Sequence, residues 1–394
     1  MGSIKPTKTK RGYFGKVESS LNEKLEKVEW GEYRFSEIFN KISQGRRLKK
    51  DDHISGDIPF VMAGVTNTGV VNYISNPVSR FPSNSITIDI FGNVFYRDYD
   101  FGAGDDTGVY WSTEKEYSKS SMLFFSISMS KSLEGRFDYG NKLRSSKSLN
   151  FKFNLPVKNE KIDFEFMESF IAELEAARIA ELEAYLEVTG LSDCELTEDE
   201  QKALDDYDEL HFKSFKIEEL LDWQKGISEI NPLHLDSLAA SDNERYPFYG
   251  QSTVNCGVIK YVDLDKKVLN NENSRPTILI HSNNQNIVFL ETPFYLKDGH
   301  GATSVLNSNE LTKNNALFFM SSIRKVIAKK FTYNNKATKI ALKSTYVDVP
   351  INKLDSIDYS TMELLISAIQ KIVIKDVVEY TDTKIQAHKE VIHS

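Results

Sequence analysis

Short runs of Val, Ile, Tyr and Phe, broken every few residues by Gly, Asn, Asp and Pro, fill much of this chain of 394 residues. IPFVMAG (58–64), GVVNYIS (69–75), SITIDI (85–90), NVFYRDYDF (93–101) and GVYWS (108–112) have the length and the flanking residues of β-strands. A second series follows, with YPFYG (246–250), GVIKYV (257–262), TILIHS (277–282) and IVFLETPFYL (287–296). FGN (91–93) and KDGHG (297–301) are turn chemistry. Each series ends in a segment of helical period. DFEFMESFIAELEAARIAELEAYLE (163–187) places Met167, Ile171, Leu174, Leu182 and Tyr185 on one stripe, with Asp163 or the turn before it as the cap. DYSTMELLISAIQKIVIKDVVEY (358–380) places Met362, Ile366, Ile369, Val373, Val377 and Tyr380 likewise, and Ser360–Glu363 reads as a capping box.

The two series are collinear. Pro59-Phe60 matches Pro247-Phe248, and Gly69–Tyr73 matches Gly257–Tyr261 at the same offset of 188. GAG (102–104) pairs with GHG (299–301), LFFSIS (123–128) with LFFMSS (317–322), Asn141-Lys142 with Asn335-Lys336, and LPV (155–157) with VPI (349–351). Ordered agreement of this kind marks a tandem duplication. Two readings of the helices then stand side by side. Either each packs on its own β-rich block, or the two pack on one another as a spacer, which duplication favours because equivalent helices are self-complementary.

The net charge of −8 argues against nucleic acid until its distribution is read. Residues 161–210 carry −14, whereas 31–160 and 211–350 carry +2 and +3, so the acidity sits between the blocks. Two distant cysteines, Cys194 and Cys256, give no disulfide or metal framework and suit a reducing, cytoplasmic setting. No apolar run approaches a membrane span, and the basic N-terminus lacks the apolar segment of a secretory signal.

Catalytic signatures are absent. The chain has no phosphate-binding loop, no dinucleotide fingerprint, and no Asn/Asp-Pro-Pro-aromatic tetrapeptide of the amino-methyltransferase kind. His53, His211, His234, His281 and His300 have no metal-ligand spacing. Asp105 and Asp106 are the best acid pair, but neighbours on a strand face opposite ways and the second copy has His300 instead, so both loops read as turns. Basic residues do cluster: Arg46, Arg47, Lys49 and Lys50; Lys142, Arg144 and Lys147; and Arg324, Lys325, Lys329, Lys330, Lys336, Lys339 and Lys343. Each run alone suits a solvated face, yet their recurrence after Asn141 and Asn335 suits phosphate contacts on a duplex. Asn67, Thr68, Gln251 and Asn255, in the repeated Gly-Val region, are candidates for reading adenine edges, with a plain turn role the alternative.

With WGEYRFSEIF, IPFVMAGVTNTGVVNYI and SITIDIFGNVFYRDYDFGAGDDTGVYW in view, residues 30–385 resemble the specificity (S) subunit of type I restriction-modification systems and of related type IIB systems. The resemblance implies an α+β (mixed α/β) fold with two tandem β-rich target-recognition domains, each followed by a long helix, the two helices pairing as an antiparallel coiled coil. The division it implies is a basic extension (1–30), a first recognition domain (31–160), a spacer helix (161–187), an acidic connector (188–211), a second recognition domain (212–354) and a C-terminal spacer helix (355–394). Such a subunit is not an enzyme. It reads a bipartite target in double-stranded DNA and docks DNA methyltransferase (M) subunits, with a restriction/translocase (R) subunit completing the system. S-adenosylmethionine, Mg and, for a translocase, ATP belong to those partners. The long connector departs from a plain linker and suggests a helix, as does the Leu21, Leu25, Val28 spacing near the N-terminus. Two other classes stand as rivals: a single-chain nuclease, methyltransferase or hydrolase using Asp105/Asp106, and a tandem β-rich carbohydrate- or protein-binding module.

Overall fold

The structure, a computed structural model, describes residues 20–240, 244–332 and 334–393. Its contacts divide the chain into two compact units, one built mainly from the segment ending at Leu182 and the other from Glu183–Gln386.

The first lobe runs α1 (20–27), β1 (Glu29–Arg34), α2 (Phe35–Ile38), β2 (Lys41–Gln44), β3 (Ser55–Val61), β4 (Val70–Ile74) and β5 (Arg80–Phe81). It continues with β6 (Ser85–Asp89), β7 (Val94–Arg97), β8 (Phe101–Ala103), β9 (Thr107–Trp111), α3 (Lys119–Leu133), α4 (Ser145–Ser148), β10 (Lys152–Lys158) and β11 (Lys161–Ile162). The long helix α5 (Phe164–Thr189) follows. Three sheets result, in the orders β1-β10-β11, β2-β9-β6-β7 and β4-β3-β8-β5. Pairing is antiparallel except between β3 and β8.

The second lobe opens with α6 (Glu198–Asp205), β12 (Phe212–Lys216), α7 (Ile217–Leu220), β13 (Asp222–Trp223), β14 (Glu229–Ile230) and β15 (Tyr246–Tyr249). Then come β16 (Val258–Val262), β17 (Thr277–His281), β18 (Ile287–Leu290), β19 (Tyr295–Lys297), β20 (Thr303–Asn307), α8 (Lys313–Lys330), α9 (Lys339–Lys343), β21 (Tyr346–Pro350) and α10 (Tyr359–His393). Its sheets are β12-β21, β13-β20-β17-β18 and β14-β19-β15-β16. The second repeats β2-β9-β6-β7, and the third keeps a parallel pair (β15 and β19) where β3 meets β8 but carries β14, parallel to β19, where the antiparallel β5 stands in the first lobe.

The duplication extends to single hydrogen bonds. Phe35 N donates to Phe151 O at 2.8 Å and Ile217 N to Thr345 O at 2.9 Å; Asp163 N reaches Pro156 O and Asp358 N reaches Pro350 O, both at 2.9 Å. One proposed match does not survive. Strand register equates GAG with Tyr295–Lys297, and GHG lies in a turn that by the same register is three residues longer than its counterpart after β8.

Two helices, α3 and α8, lie where the strand-like reading of the blocks predicts none, and both contain the LFF repeat. Phe, Ile and Ser are modest helix formers, so composition hides these helices. Their period does not: Met122, Phe125, Met129 and Leu133 are all buried, as are Phe319, Ile323 and Ile327. Ser118 and Thr312 cap them through Ser121 N (3.2 Å) and Asn315 N (3.1 Å). Each helix closes one side of its lobe's main core. In the first lobe Phe35 meets Tyr110 and Phe153 edge to face, at 5.9 and 5.4 Å between centroids. In the second, Ile217, Phe319, Ile323, Leu342 and Val347 are fully buried together. Helix α1 adds Leu21 to the first core, as its spacing predicts.

The long helices start on aspartates. Asp163 accepts Phe166 N at 2.9 Å and Asp358 accepts Thr361 N at 3.0 Å, which corrects the expected Ser360 box. Ser360 is already helical, and Glu363 instead accepts the Thr312 hydroxyl at 2.6 Å. Met167 and Ile171 pack into the first core and Met362 into the second. Beyond that point the predicted stripe of α10 faces out: Ile369, Val373, Val377 and Tyr380 are exposed, and the buried row is Leu365, Ala368 and Val378. The helix is apolar on two faces, and the stripe follows the outer one.

The acidic connector is no loose linker. Thr197 and Glu200 form a reciprocal cap on α6, and Glu200, only 4% exposed, accepts the Ser367 hydroxyl (2.5 Å) and Lys371 Nζ (3.0 Å) from α10. Lys371 also donates to Asp193 (2.8 Å) and Glu195 O (2.8 Å).

Candidate nucleic-acid interface

In each lobe several loops converge at one end of the two four-stranded sheets, and the same backbone web fastens them. In the first lobe Met62 N donates to Gly69 O, Ile90 N to Asp106 O and Leu143 N to Ile90 O, each at 2.9 Å. In the second, Gly250 N donates to Gly257 O (2.8 Å), Ser282 N to Ala302 O (2.8 Å) and Ala337 N to Ser282 O (3.1 Å). The first bond of each set closes the β3–β4 or β15–β16 hairpin on itself, and the other two tie the turns after β6 and β8, or after β17 and β19, to the basic loop that follows α3 or α8.

Arg46 N reaches Ala103 O at 2.9 Å in the first lobe, and Gly45 permits this approach, since a Cβ there would stand 2.2 Å from Gly104 O. Gln44 bridges Asp105 O and Ser145 N, and Arg144 donates to Asp105 O at 2.6 Å. Asp105 and Asp106 are turn residues, as the sequence suggests. The rim therefore collects Arg46, Arg144, Lys142 and, on α4, Lys147, and the hairpin that bears Asn67 and Thr68 is joined to the same edge by Gly104 N donating to Val61 O at 2.8 Å. Lys142 lies 4.4 Å above the ring of Tyr139, which is 82% exposed, and Phe91 projects from the neighbouring turn. Arg47, Lys49 and Lys50 continue along the exposed loop after Arg46.

In the second lobe Gln251, Asn255 and His300 come together with the loop bearing Lys336. Glu229 holds the His300 turn by accepting Gly299 N (3.1 Å) and Gly301 N (3.2 Å), which leaves the imidazole in solvent. Lys339 is exposed at the start of α9, and Lys329 sits on the last turn of α8. Lys330 and Lys343 are engaged elsewhere, Lys330 with the Thr345 hydroxyl (3.0 Å) and Lys343 over Trp223 (5.5 Å).

The amide candidates are largely spent on their own turns. Asn67 Nδ2 donates to Val70 O and Asn255 Nδ2 to Val258 O, both at 3.3 Å. Gln251 Oε1 accepts Asn283 Nδ2 at 2.5 Å, and its carbonyl takes Asn284 Nδ2. Asn141 and Asn335 each donate to the carbonyl five residues back, at 2.9 and 3.0 Å, so the repeated Asn-Lys pair is turn chemistry that presents a lysine.

Residues that sequence reasoning passed over do the bracing. Arg97 is 1% exposed and no carboxylate among the described residues pairs with it. Its guanidinium donates to Thr68 Oγ1 (3.0 Å), Thr68 O (2.5 Å), the Tyr99 hydroxyl (2.9 Å) and Thr87 Oγ1 (3.1 Å). Burial pulls its pKa below the usual value, against the support of Tyr99. Asp89, buried below, accepts Gly64 N at 3.0 Å and Asn93 Nδ2 at 2.7 Å. In the second lobe His281 takes the Asp89 place: it is fully buried, bonds Thr303 Oγ1 at 3.0 Å, and desolvation pushes it down to about 4. Lys297, beside Gly250, adds a cation to this rim. A charged residue inside an apolar strand run, as Arg97 is in NVFYRDYDF, was the available signal.

Among the described residues no cluster of His, Cys, Asp and Glu would hold a metal ion, and no helix is long and apolar enough to cross a membrane. Cys194 and Cys256 are free thiols.

Comparison with known proteins agrees with this picture. The chain is 28% identical over 155 residues to the BcgI specificity subunit of a type II restriction enzyme from Heyndrickxia coagulans, a match covering 38% of this chain and 45% of that protein. The chain thus spans about half the length of the curated relative it matches. Its fold is similar to the crystal structure of the type I restriction-modification system S subunit from M. genitalium, with a TM-score of 0.57 and 13% identity over 93% of this chain and 94% of that one. The profile of the type I restriction modification DNA specificity domain matches twice, over residues 27–184 and 211–380. A duplicated lobe carrying this profile in both copies makes the chain a member of the type I restriction modification DNA specificity domain family.

Proposed function

We propose that this chain is the DNA-recognition subunit of a restriction-modification complex, with no turnover of its own, each lobe reading one half of a bipartite duplex target. The observation that carries the reading is the twinned rim: one backbone web, built twice, ends both times in exposed cations and polar turns. Arg46, Arg47, Lys49, Lys50, Lys142, Arg144 and Lys147 in one lobe, and Lys329, Lys336, Lys339 and His300 in the other, are assigned to phosphates. The tips of the turns around Asn67 and Gln251 are assigned to base edges.

The recognition domains are taken as 31–160 and 212–354, the spacer helices as 161–187 and 355–394, and the strapped segment 188–211 as their connector. In this reading the spacer helices pair as an antiparallel coiled coil that fixes the distance between half-sites. Methyltransferase subunits, acting on adenine with S-adenosylmethionine, dock on the helices, and the exposed row of Ile369, Val373, Val377 and Tyr380 on α10 offers them an apolar surface. A restriction/translocase subunit with Mg and ATP completes the assembly, in the cytoplasm where its DNA lies. Methylome sequencing with and without this gene tests the proposal. The expected result is loss of one methylated motif made of two short specified blocks separated by unspecified base pairs; a continuous motif, or an unchanged methylome, refutes it.

A further inference from the structure

The turns Thr66–Gly69 and Val254–Gly257 repeat one unusual backbone path residue by residue. Asn67 and Asn255 (φ 46° and 50°), then Thr68 and Cys256 (both φ 50°), are left-handed, and a glycine at φ 85° or 86° follows. A β-branched threonine rarely adopts that region, and strain of this sort persists where the surroundings over-determine it, as at functional sites. The surroundings do so with different parts in each lobe. Arg97 clamps Thr68 in the first; Asn283, Asn284 and Asn286 tie down Gln251 and Ser252 in the second.

What these braces leave unspent is informative. The Asn67 and Asn255 amides and Thr68 are spent on Val70 O, Val258 O and Arg97, and just before the left-handed pair each lobe also carries a valine in solvent beside an exposed threonine. Val65 is 68% exposed and Val254 76%. A rigid, strained tip that spends its asparagine amide internally and offers an isopropyl group beside a cationic rim suits an apolar contact on a base edge. The thymine 5-methyl in the major groove is the apolar group that a duplex presents there. The two valines stand one position apart in the aligned turns, so each lobe offers its contact in a different register.

We infer that Val65 and Val254 are specificity-determining contacts, each reading a thymine methyl in its own half-site, and that Arg97 is the positioning residue that fixes the first tip. The inference rests on the DNA-recognition reading above. Its test uses the assembled complex with its methyltransferase subunits and a duplex carrying the methylated motif, in which thymines are replaced one at a time by uracil. One replacement in each half is expected to weaken binding about fourfold, the worth of one buried methyl group. Val65→Ala abolishes that response in one half only, and Val254→Ala in the other. Arg97→Met abolishes the uracil response in the Val65 half and leaves the Val254 half intact, which a general loss of folding would not do. Uracil tolerated throughout both halves, or a full uracil response retained in both valine variants, overturns the inference while the recognition reading stands. Binding without any sequence preference overturns both.

Discussion

Replacing Lys371 by methionine removes the cation from beneath the connector while keeping the length and apolar stem of the side chain. Glu200 then keeps the Thr197 backbone N–H (2.8 Å) and the Ser367 hydroxyl (2.5 Å) but loses its counter-charge at 3.0 Å. Burial by itself would raise the Glu200 pKa; the hydrogen bonds from Ser367, Thr197 and Lys371 outweigh it and hold the carboxyl down to about 2. The bond from Lys371 to Asp193 adds little, because that carboxylate is 66% exposed. Leaving a buried carboxylate short of one partner costs about 2 kcal/mol. The α6 amides are therefore expected to open about 30-fold more often and to exchange with deuterium about 30-fold faster at pH 7. A depressed pKa contributes stability that is complete above the unfolded value and is lost as pH falls through the folded one, here from about 4.5 towards about 2. In Lys371→Met the carboxyl protonates earlier, so the difference from the parent protein shrinks once pH drops below about 4. Wild-type exchange rates for 197–206 in a folded Lys371→Met protein, or a difference that grows on acidification, refute the clamp.

Three further outcomes follow from the same geometry. Arg46→Ala and Arg47→Ala weaken DNA binding by the complex evenly across sequences and lower the slope of log affinity against log salt by about 1 each, leaving the motif unchanged; a changed motif assigns them to base reading. His281 is neutral and buried with a lowered pKa, so folding of the second lobe loses stability as pH falls below about 6.5, by about 2 kcal/mol at pH 5. Urea midpoints for that lobe show this slope, and His281→Gln flattens it. Asp358→Ala costs about 1 kcal/mol as a lost helix cap, whereas Ser360→Ala is silent; the reverse order in thermal unfolding restores the Ser360 box.

The strands and the duplication were readable because both rest on local chemistry. Alternating Val, Ile, Tyr and Phe between Gly and Asn specify a strand wherever they occur, and the twin turns keep Asn-x-Gly because left-handed backbone accepts few residues. The helices α3 and α8 were hidden by their aromatic and seryl content, although the buried period through Met122 and Met129 was present. The α10 cap was misplaced because Ser-x-x-Glu and Asp-x-x-Thr overlap in SIDYSTME, and only the backbone path shows which one begins the helix. At the rim, cations could be found by composition, but the direction of an amide could not. Asn67 and Asn255 turn inward to carbonyls three residues on, along a backbone path that composition does not show, and the Gln251 amide is held by Asn283, 32 positions away.

The two lobes share a loop path and differ in the side chains that brace it. The web that ties the turns together is backbone to backbone in both lobes, from Met62 N to Gly69 O and from Gly250 N to Gly257 O onward, and the side-chain bonds the lobes share are local ones such as Asn67 to Val70 O and Asn255 to Val258 O. The braces beneath them have diverged completely: Asp89 faces the place of His281, and a strand position that carries Arg97 in one lobe carries Leu290 in the other. A buried carboxylate, a buried guanidinium and a neutral imidazole are not interchangeable chemistry, yet the turns above them agree to within a few degrees. The web therefore fixes the loop path, and side chains at the tip are free of it. Where close approach makes a side chain impossible, as at Gly45 against Ala103 O and Gly104 O, no such freedom exists. Constraint sits at the glycines and the web, and variation sits at Val65, Thr66, Thr253 and Val254, where the proposed base contacts lie.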